Sequence, residues 1–310
     1  MSQTLFAKKL DKILAKIDDL KDSSKLTYKK FLLKLFKIVK PSTVTFKFLK
    51  DVDNIRSIVD KETDSTAKMI YISIYRVLEK APGMKAKAKV YKQLSFDISK
   101  RLNDKAADNV INEKRSGRLK QLKDLKKVTT QLLRNYISNP SELKKNYYLV
   151  GLMYIMNPFT PRLEYADMKI IKNSTDDNGK DNFLLINSSM KVILNDYKTF
   201  GKYGKQIITL PQNIRTTLIK LDIPNQQFLF QKGSSGYKKK TFSQFIKNAM
   251  KSVDEDLGLN EIRIIKESHL QSQASYKKLS EKQKNQKHIK LFLHSIGIAR
   301  TAYRKLELIE

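Results

Sequence analysis

The chain has 310 residues, of which 62 are Lys or Arg and 31 are Asp or Glu, giving a formal charge of +31; 40% of the residues are hydrophobic. That apolar share supports one large domain or two ordinary ones with a buried core and excludes disorder throughout, while the charge surplus calls for a polyanion, nucleic acid ahead of an anionic membrane. With no cysteine the chain can form no disulfide, thiolate metal site or thiol nucleophile, its redox compartment stays open, and the presence of only three histidines argues against a histidine-rich metal centre.

Phe6, Leu10, Ile13, Ile17 and Leu20 recur at spacings of four and three, an a/d stripe on an N-terminal amphipathic helix over residues 1–22. The stripe suits either self-association or packing on the chain's own domain. Asp11, Asp18 and Asp19 distinguish it from an acid-poor mitochondrial presequence and no secretory apolar block precedes it, so an intracellular location, with DNA, is expected. From about residue 25 to residue 117 the pattern is helical. One helix carries Leu32, Leu33, Leu35, Phe36 and Val39 and stops at Pro41. A second, capped by Asp64-Ser65-Thr66, runs from Ala67 to Leu78 and ends at Pro82-Gly83. A third starts near Ala86 and includes Tyr91, Leu94 and Ile98. The basic, polar stretch Asn112 to Lys127 marks a domain junction, dividing a helical domain at 23–120 from a second domain at 121–310.

Beyond Asn139-Pro140-Ser141-Glu142-Leu143, helix-start chemistry leads into the most apolar helix, Tyr147 to Met156, about half the ~20 residues that span a bilayer, so no membrane partner is expected. The sharp turn Asn157-Pro158-Phe159-Thr160-Pro161 comes next. Three β-rich runs, Phe183 to Asn187, Lys191 to Asn195 and Gln206 to Leu210, predict a small antiparallel meander. Helices return over Asn213 to Leu221, Thr241 to Leu257, Ile262 to His269, Ser280 to Leu293, and from Gly297 onward. The predicted class is therefore mainly α with a small antiparallel β-sheet (α+β).

Arginine is scarce, with eleven among the 62 cations. Lysine is a hydrated point charge suited to unspecific backbone contact, whereas an arginine in a sharp apolar turn can present a planar fork to a phosphate. Arg162, in Thr160-Pro161-Arg162-Leu163-Glu164-Tyr165, and Arg263, in Asn260-Glu261-Ile262-Arg263-Ile264-Ile265, meet that description. Arg162 could alternatively pair with Glu164 or Asp167, and Arg263 must either be buried and paired or line a cleft. His294 is followed nine residues later by Tyr303, a spacing that carries information only in company. His269 and His288 read as surface or DNA-side residues, and Lys238-Lys239-Lys240 as a solvated helix start.

Taken in order, these segments resemble the catalytic half of the tyrosine recombinases, or phage-type integrases, over roughly residues 140–310. Thr160-Pro161-Arg162 with Glu164 and Asp167 resembles the first arginine box. Asp196-Tyr197-Lys198-Thr199, with Tyr203-Gly204-Lys205, lies where the family keeps a hairpin lysine, Lys202 and Lys205 being rivals of Lys198. Asn260-Glu261-Ile262-Arg263 is similar to the second arginine box, and Leu293-His294-Ser295 with Tyr303 to the closing histidine and nucleophile. Two positions depart: Asn260 replaces a histidine or lysine, so it can hydrogen-bond a phosphate but cannot act as a protonated acid, and Leu293 replaces a glycine, a change expected to affect only local packing. The helical domain before it resembles the family's core-binding domain in size, helicity and charge.

The resemblance implies a two-domain clamp on double-stranded DNA, a homotetramer on paired sites, and strand cleavage without metal, nucleotide or other cofactor. Arg162 and Arg263 would clamp the nonbridging oxygens, His294 would hydrogen-bond the scissile phosphate, Lys198 would protonate the departing 5′ oxygen, and Tyr303 would attack to form a 3′ phosphotyrosine. A type IB topoisomerase would use a similar pocket, and a noncatalytic architectural DNA-binding protein would keep the charge without the chemistry. High lysine, isoleucine and asparagine fit an AT-rich genome, that of a mobile element or virus among others.

Overall fold

The computed structural model describes residues 2–107, 121–253 and 257–299 and divides into two compact units, Met1–Asp108 and Asn109–Glu310. Arg300, Tyr303 and Arg304 lie outside the described residues.

The first unit is helical: α1 (Ser2–Ala15), α2 (Asp22–Val39), α3 (Val52–Val59), α4 (Asp64–Lys80) and α5 (Lys85–Ala107), with a 3-10 turn at Phe46–Lys50. Helix starts are fixed by side chains that accept orphan backbone N–H groups: Asp51 from Asn54 at 3.1 Å and Thr63, one residue ahead of the expected cap, from Thr66 at 3.4 Å. Lys40, in the left-handed region at φ 47°, closes α2 ahead of Pro41. The N-terminal stripe turns inward. Phe6, Leu10, Leu14 and Ile17 are buried in this unit's own core, and the Phe6 ring stacks on Phe36 at 4.3 Å. The stripe packs on its own unit, with Ile13 and Leu20 only partly covered.

The second unit begins with α6 (Leu122–Ser138), which absorbs the end of the expected junction, and α7 (Glu142–Val150), capped by Ser141 accepting from Lys144 N–H at 3.2 Å. The apolar segment expected as one helix to Met156 changes register. Gly151–Met156 is a π-helical turn, ended by Asn157 N–H donating to Leu152 O at 2.9 Å. Gly151 allows this turn to lie against α6, since a Cβ there would stand 3.1 Å from Thr129 and 3.2 Å from Leu132.

The sheet runs in the order β1 (Lys169–Ile171), β2 (Phe183–Leu185), β3 (Lys191–Leu194), β4 (Gln206–Thr209). The expected meander forms as β2 to β4, but β1 pairs parallel to β2, so the sheet is mixed rather than antiparallel. Three residues are too few for β1 to show a period of two. The register Leu184 to Val192 to Ile208 places these side chains on the core face, while Phe183, Leu185 and Ile193 form a separate small cluster. After the sheet come α8 (Phe200–Tyr203, within the β3–β4 connection), α9 (Gln212–Lys220), a two-stranded hairpin of β5 (Gln231–Lys232) and β6 (Ser235–Gly236), α10 (Lys239–Lys251), α11 (Leu259–Ser272), α12 (Ala274–Lys277), α13 (Glu281–Phe292) and α14 (Ile296–Ile298). Among the described residues no helix is long and apolar enough to cross a membrane.

Candidate active site

Helix α11 is the centre of the second unit. Every residue from Ile262 to Ser268 is buried, so charged groups in this run must find partners inside. Arg263 is fully buried, and its guanidinium donates to the carbonyls of Thr160 and, at 2.9 Å, Phe292, with the Phe292 ring 5.9 Å from its Cζ. Of the two fates open to Arg263 in the sequence, the fold selects burial and pairing. Its guanidinium ties the turn that carries Arg162 to the end of α13.

One turn further, Lys266 donates to the carbonyls of Tyr154, at 3.0 Å, and Asn157 and to the Thr160 hydroxyl. Burial and the neighbouring Arg263 push the Lys266 amine down to about 7. Arg263 and Lys266 thus brace both ends of Asn157-Pro158-Phe159-Thr160-Pro161, and Thr160 N–H donates to Leu291 O at 2.8 Å. The turn is rigid by construction, and Arg162 leaves it.

Arg162 is half-buried, forms no ion pair with Glu164 or Asp167 among the described residues, and stands where two concavities meet. One is a narrow crevice it shares with Glu164, Tyr197, Lys198, Thr199 and Leu293. Burial raises the Glu164 carboxyl above its ordinary value. The other is an open cleft of about 650 Å³ with Gln244, Lys247, Lys251 and Asn260 on its walls. The structure therefore brings Arg162 to Lys198 on one side and to Asn260 on the other.

The β3–β4 connection separates the three candidate lysines. Lys205 is paired with Asp177, Lys202 lies 5.4 Å from the Tyr203 ring, and exposed Lys198 lines the crevice that Arg162 also lines. Thr199 donates to Leu293 O at 2.9 Å, anchoring this connection to the residue before His294. In the Lys238-Lys239-Lys240 run, Lys239 pairs with Asp196.

Leu293 takes a left-handed backbone, φ 59° and ψ 34°, as the C-cap of α13. The glycine expected there by resemblance would meet this conformation without strain, so its replacement acts on the backbone as well as on packing. His294, next in line, is 4% exposed, with Nδ1 3.1 Å from Ser295 O and Nε2 2.6 Å from the buried Glu267 carboxylate. His288 is not on the surface as expected: it is fully buried on α13, 2.9 Å from the other Glu267 oxygen and 2.6 Å from the Tyr276 hydroxyl. Burial raises the Glu267 carboxyl, but the two imidazoles outweigh it and leave the group below its ordinary value. His269 is exposed, as expected.

Sequence reasoning missed Lys266, Glu267 and the inward turn of His288. The available signal was the placement of Lys266-Glu267 directly after Ile262-Arg263-Ile264-Ile265, because charges embedded in an apolar helical run belong to a central helix. Searches against known proteins returned no matching family model, no matching curated protein and no matching solved structure.

Proposed function

We propose that the chain is a site-specific DNA recombinase or integrase that cleaves and rejoins strands through a 3′ phosphotyrosine on Tyr303. The observation that carries this reading is the meeting of Arg162 and Lys198 in one crevice, two cations from separate elements with no ion-pair partner among the described residues. A guanidinium and an ammonium lining one narrow crevice of about 10 Å³ suit a phosphate held at its mouth rather than within it. The adjoining cleft, with Lys247, Lys251 and Asn260, offers further contacts for a phosphodiester backbone.

In the proposed reaction the Tyr303 hydroxyl gives its proton to solvent as its oxygen attacks phosphorus, the bond to the 5′ oxygen breaks, and Lys198 delivers the proton that the departing oxygen takes up. Arg162 holds the nonbridging oxygens. Arg263 supports that geometry from beneath through the Thr160 carbonyl, and His294 has its Nδ1 edge, now on Ser295 O, as the donor for the phosphate because Nε2 faces Glu267. Attack by a 5′ hydroxyl of a second strand reverses the sequence of steps with a new partner, which is strand exchange. Double-stranded DNA held by both units, and a homotetramer on paired sites, belong to the same reading. Because lysine supplies most contacts, affinity should fall with salt with a slope of roughly −0.9 per phosphate neutralised.

Covalent trapping tests the proposal. The protein is incubated with nicked duplexes drawn from the DNA flanking its own gene, and denaturing gels and peptide mass are used to find an adduct. An adduct on Tyr303, lost in Tyr303→Phe, supports strand cleavage. Tight, salt-sensitive binding that never yields an adduct would overturn it in favour of an architectural DNA-binding protein.

A further inference from the structure

Glu267, His288 and His294 come from α11, α13 and the segment after α13, and one donor atom from each lies within 4.8 Å of the other two. All three are buried. We propose that this cluster is a binding site for a divalent first-row cation, zinc above all, which fastens the end of α13 to α11. The inference does not depend on strand cleavage, since no step of that chemistry passes through the ion.

Contact geometry carries the argument. The Glu267 carboxylate is 2.9 Å from His288 Nδ1 and 2.6 Å from His294 Nε2, yet neither Glu267 oxygen nor His288 Nδ1 has an aligned hydrogen bond among the described residues. A buried carboxylate needs compensation, which either protons on the two imidazoles or a cation shared by the three donors supplies. The outer edges of both rings are already held. A carbonyl only accepts, so His294 Nδ1 beside Ser295 O carries the proton, and in the neutral ring the Nε2 lone pair faces Glu267. At His288, Nε2 is held by the Tyr276 hydroxyl at 2.6 Å, which leaves Nδ1 for the cluster. Ligating histidines are held in this way, with one nitrogen on the metal and the other on a carbonyl or hydroxyl. Two imidazoles and a carboxylate form a donor set that zinc accepts. Tetrahedral ligation places neighbouring donors about 3.3 Å apart, so loading opens the two carboxylate contacts by about 0.4 and 0.7 Å and sets the two imidazole nitrogens, now within 4.8 Å, at the same spacing.

The test uses the untagged, full-length chain without DNA. It is stripped with EDTA and titrated calorimetrically with zinc sulfate in a non-coordinating buffer, and cobalt(II) is added in parallel to read the visible spectrum. One equivalent of zinc bound, with the intense visible bands of four-coordinate cobalt, is the expected result. Glu267→Gln and His288→Gln should weaken binding by more than the roughly 10–100-fold that loss of an outer partner costs, and Tyr276→Phe by about that factor. Two readouts keep the test decisive if Glu267→Gln does not fold, namely His288→Gln and the wild-type cobalt spectrum. No saturable uptake by the wild-type chain, or undiminished uptake in both ligand variants, would overturn the site and leave an imidazolium–carboxylate cluster in its place. Zinc binding without any DNA adduct would sink the recombinase reading alone, and an adduct without zinc binding would sink the metal site alone.

Discussion

Replacing Arg263 and Arg162 one at a time by alanine separates support from chemistry. Arg263 is fully buried and donates, among the described residues, to the carbonyls of Thr160 and Phe292, so Arg263→Ala removes at least these two hydrogen bonds from a charged donor and leaves both acceptors in a cavity. At about 1.5–3 kcal/mol for each such bond, the loss is about 3–6 kcal/mol. In a unit of this size that is a fall of roughly 6–24 °C in melting temperature. Arg162 is half-buried and unpaired with Glu164 or Asp167, so Arg162→Ala should change stability by no more than about 0.5 kcal/mol. Thermal and urea unfolding followed by circular dichroism give both numbers, and the trapping assay gives cleavage. Both variants should lose adduct formation, Arg162→Ala while fully folded and still bound to duplex. Melting of Arg263→Ala within about 2 °C of wild type would refute the bracing role assigned to the buried guanidinium.

At Leu293, where φ is 59°, the usual order of small residues should invert: Leu293→Gly should be more stable than Leu293→Ala by about 0.5–1 kcal/mol in urea melts, and a more stable alanine variant would contradict the left-handed cap. Leu10→Ala should cost the first unit about 2–5 kcal/mol and leave the DNA-free mass by light scattering unchanged; a change of mass without loss of stability would restore the stripe as an interface. Lys198→Ala should slow cleavage by about 10²–10⁴-fold, and a substrate with sulfur in place of the 5′ bridging oxygen, whose departing thiolate needs no proton, should restore the rate. Lys205→Ala should keep cleavage and lose stability instead, since it strands the nearly buried Asp177 side chain; the opposite pattern would move the proton donor to Lys205.

Much of the helical layout was legible because its signals are local. Asn213 to Leu221 and Ser280 to Leu293 fall within a residue of helices at Gln212–Lys220 and Glu281–Phe292, both framed by residues whose effect does not depend on the rest of the chain. β1 was not, because a three-residue strand is defined by its partner Phe183–Leu185 and not by its own pattern. The site divides in the same way. Arg162 could be named from its turn and Lys198 from the resemblance alone, and both line one crevice. Glu267 could not, since nothing near it in the chain announces His288 and His294, which arrive from another helix and the segment beyond it. Whether Arg263 faces a cleft or the interior is likewise decided by two carbonyls distant in the chain, those of Thr160 and Phe292.

The π-helical turn at Gly151–Met156 makes this part of the chain sensitive to length more than to composition. A π turn is an α turn with one residue inserted, and it is from this turn that the Tyr154 carbonyl meets Lys266. Exchange of one apolar residue for another there leaves the backbone path intact. Loss of a single residue would return the segment to α register and re-aim the carbonyls within the turn. The Tyr154 carbonyl would then turn away from Lys266, and with it would go one of the anchors of the turn that presents Arg162. Insertions and deletions should therefore be tolerated in the connection from Lys172 to Asp181 on the sheet edge far sooner than anywhere between Tyr148 and Arg162.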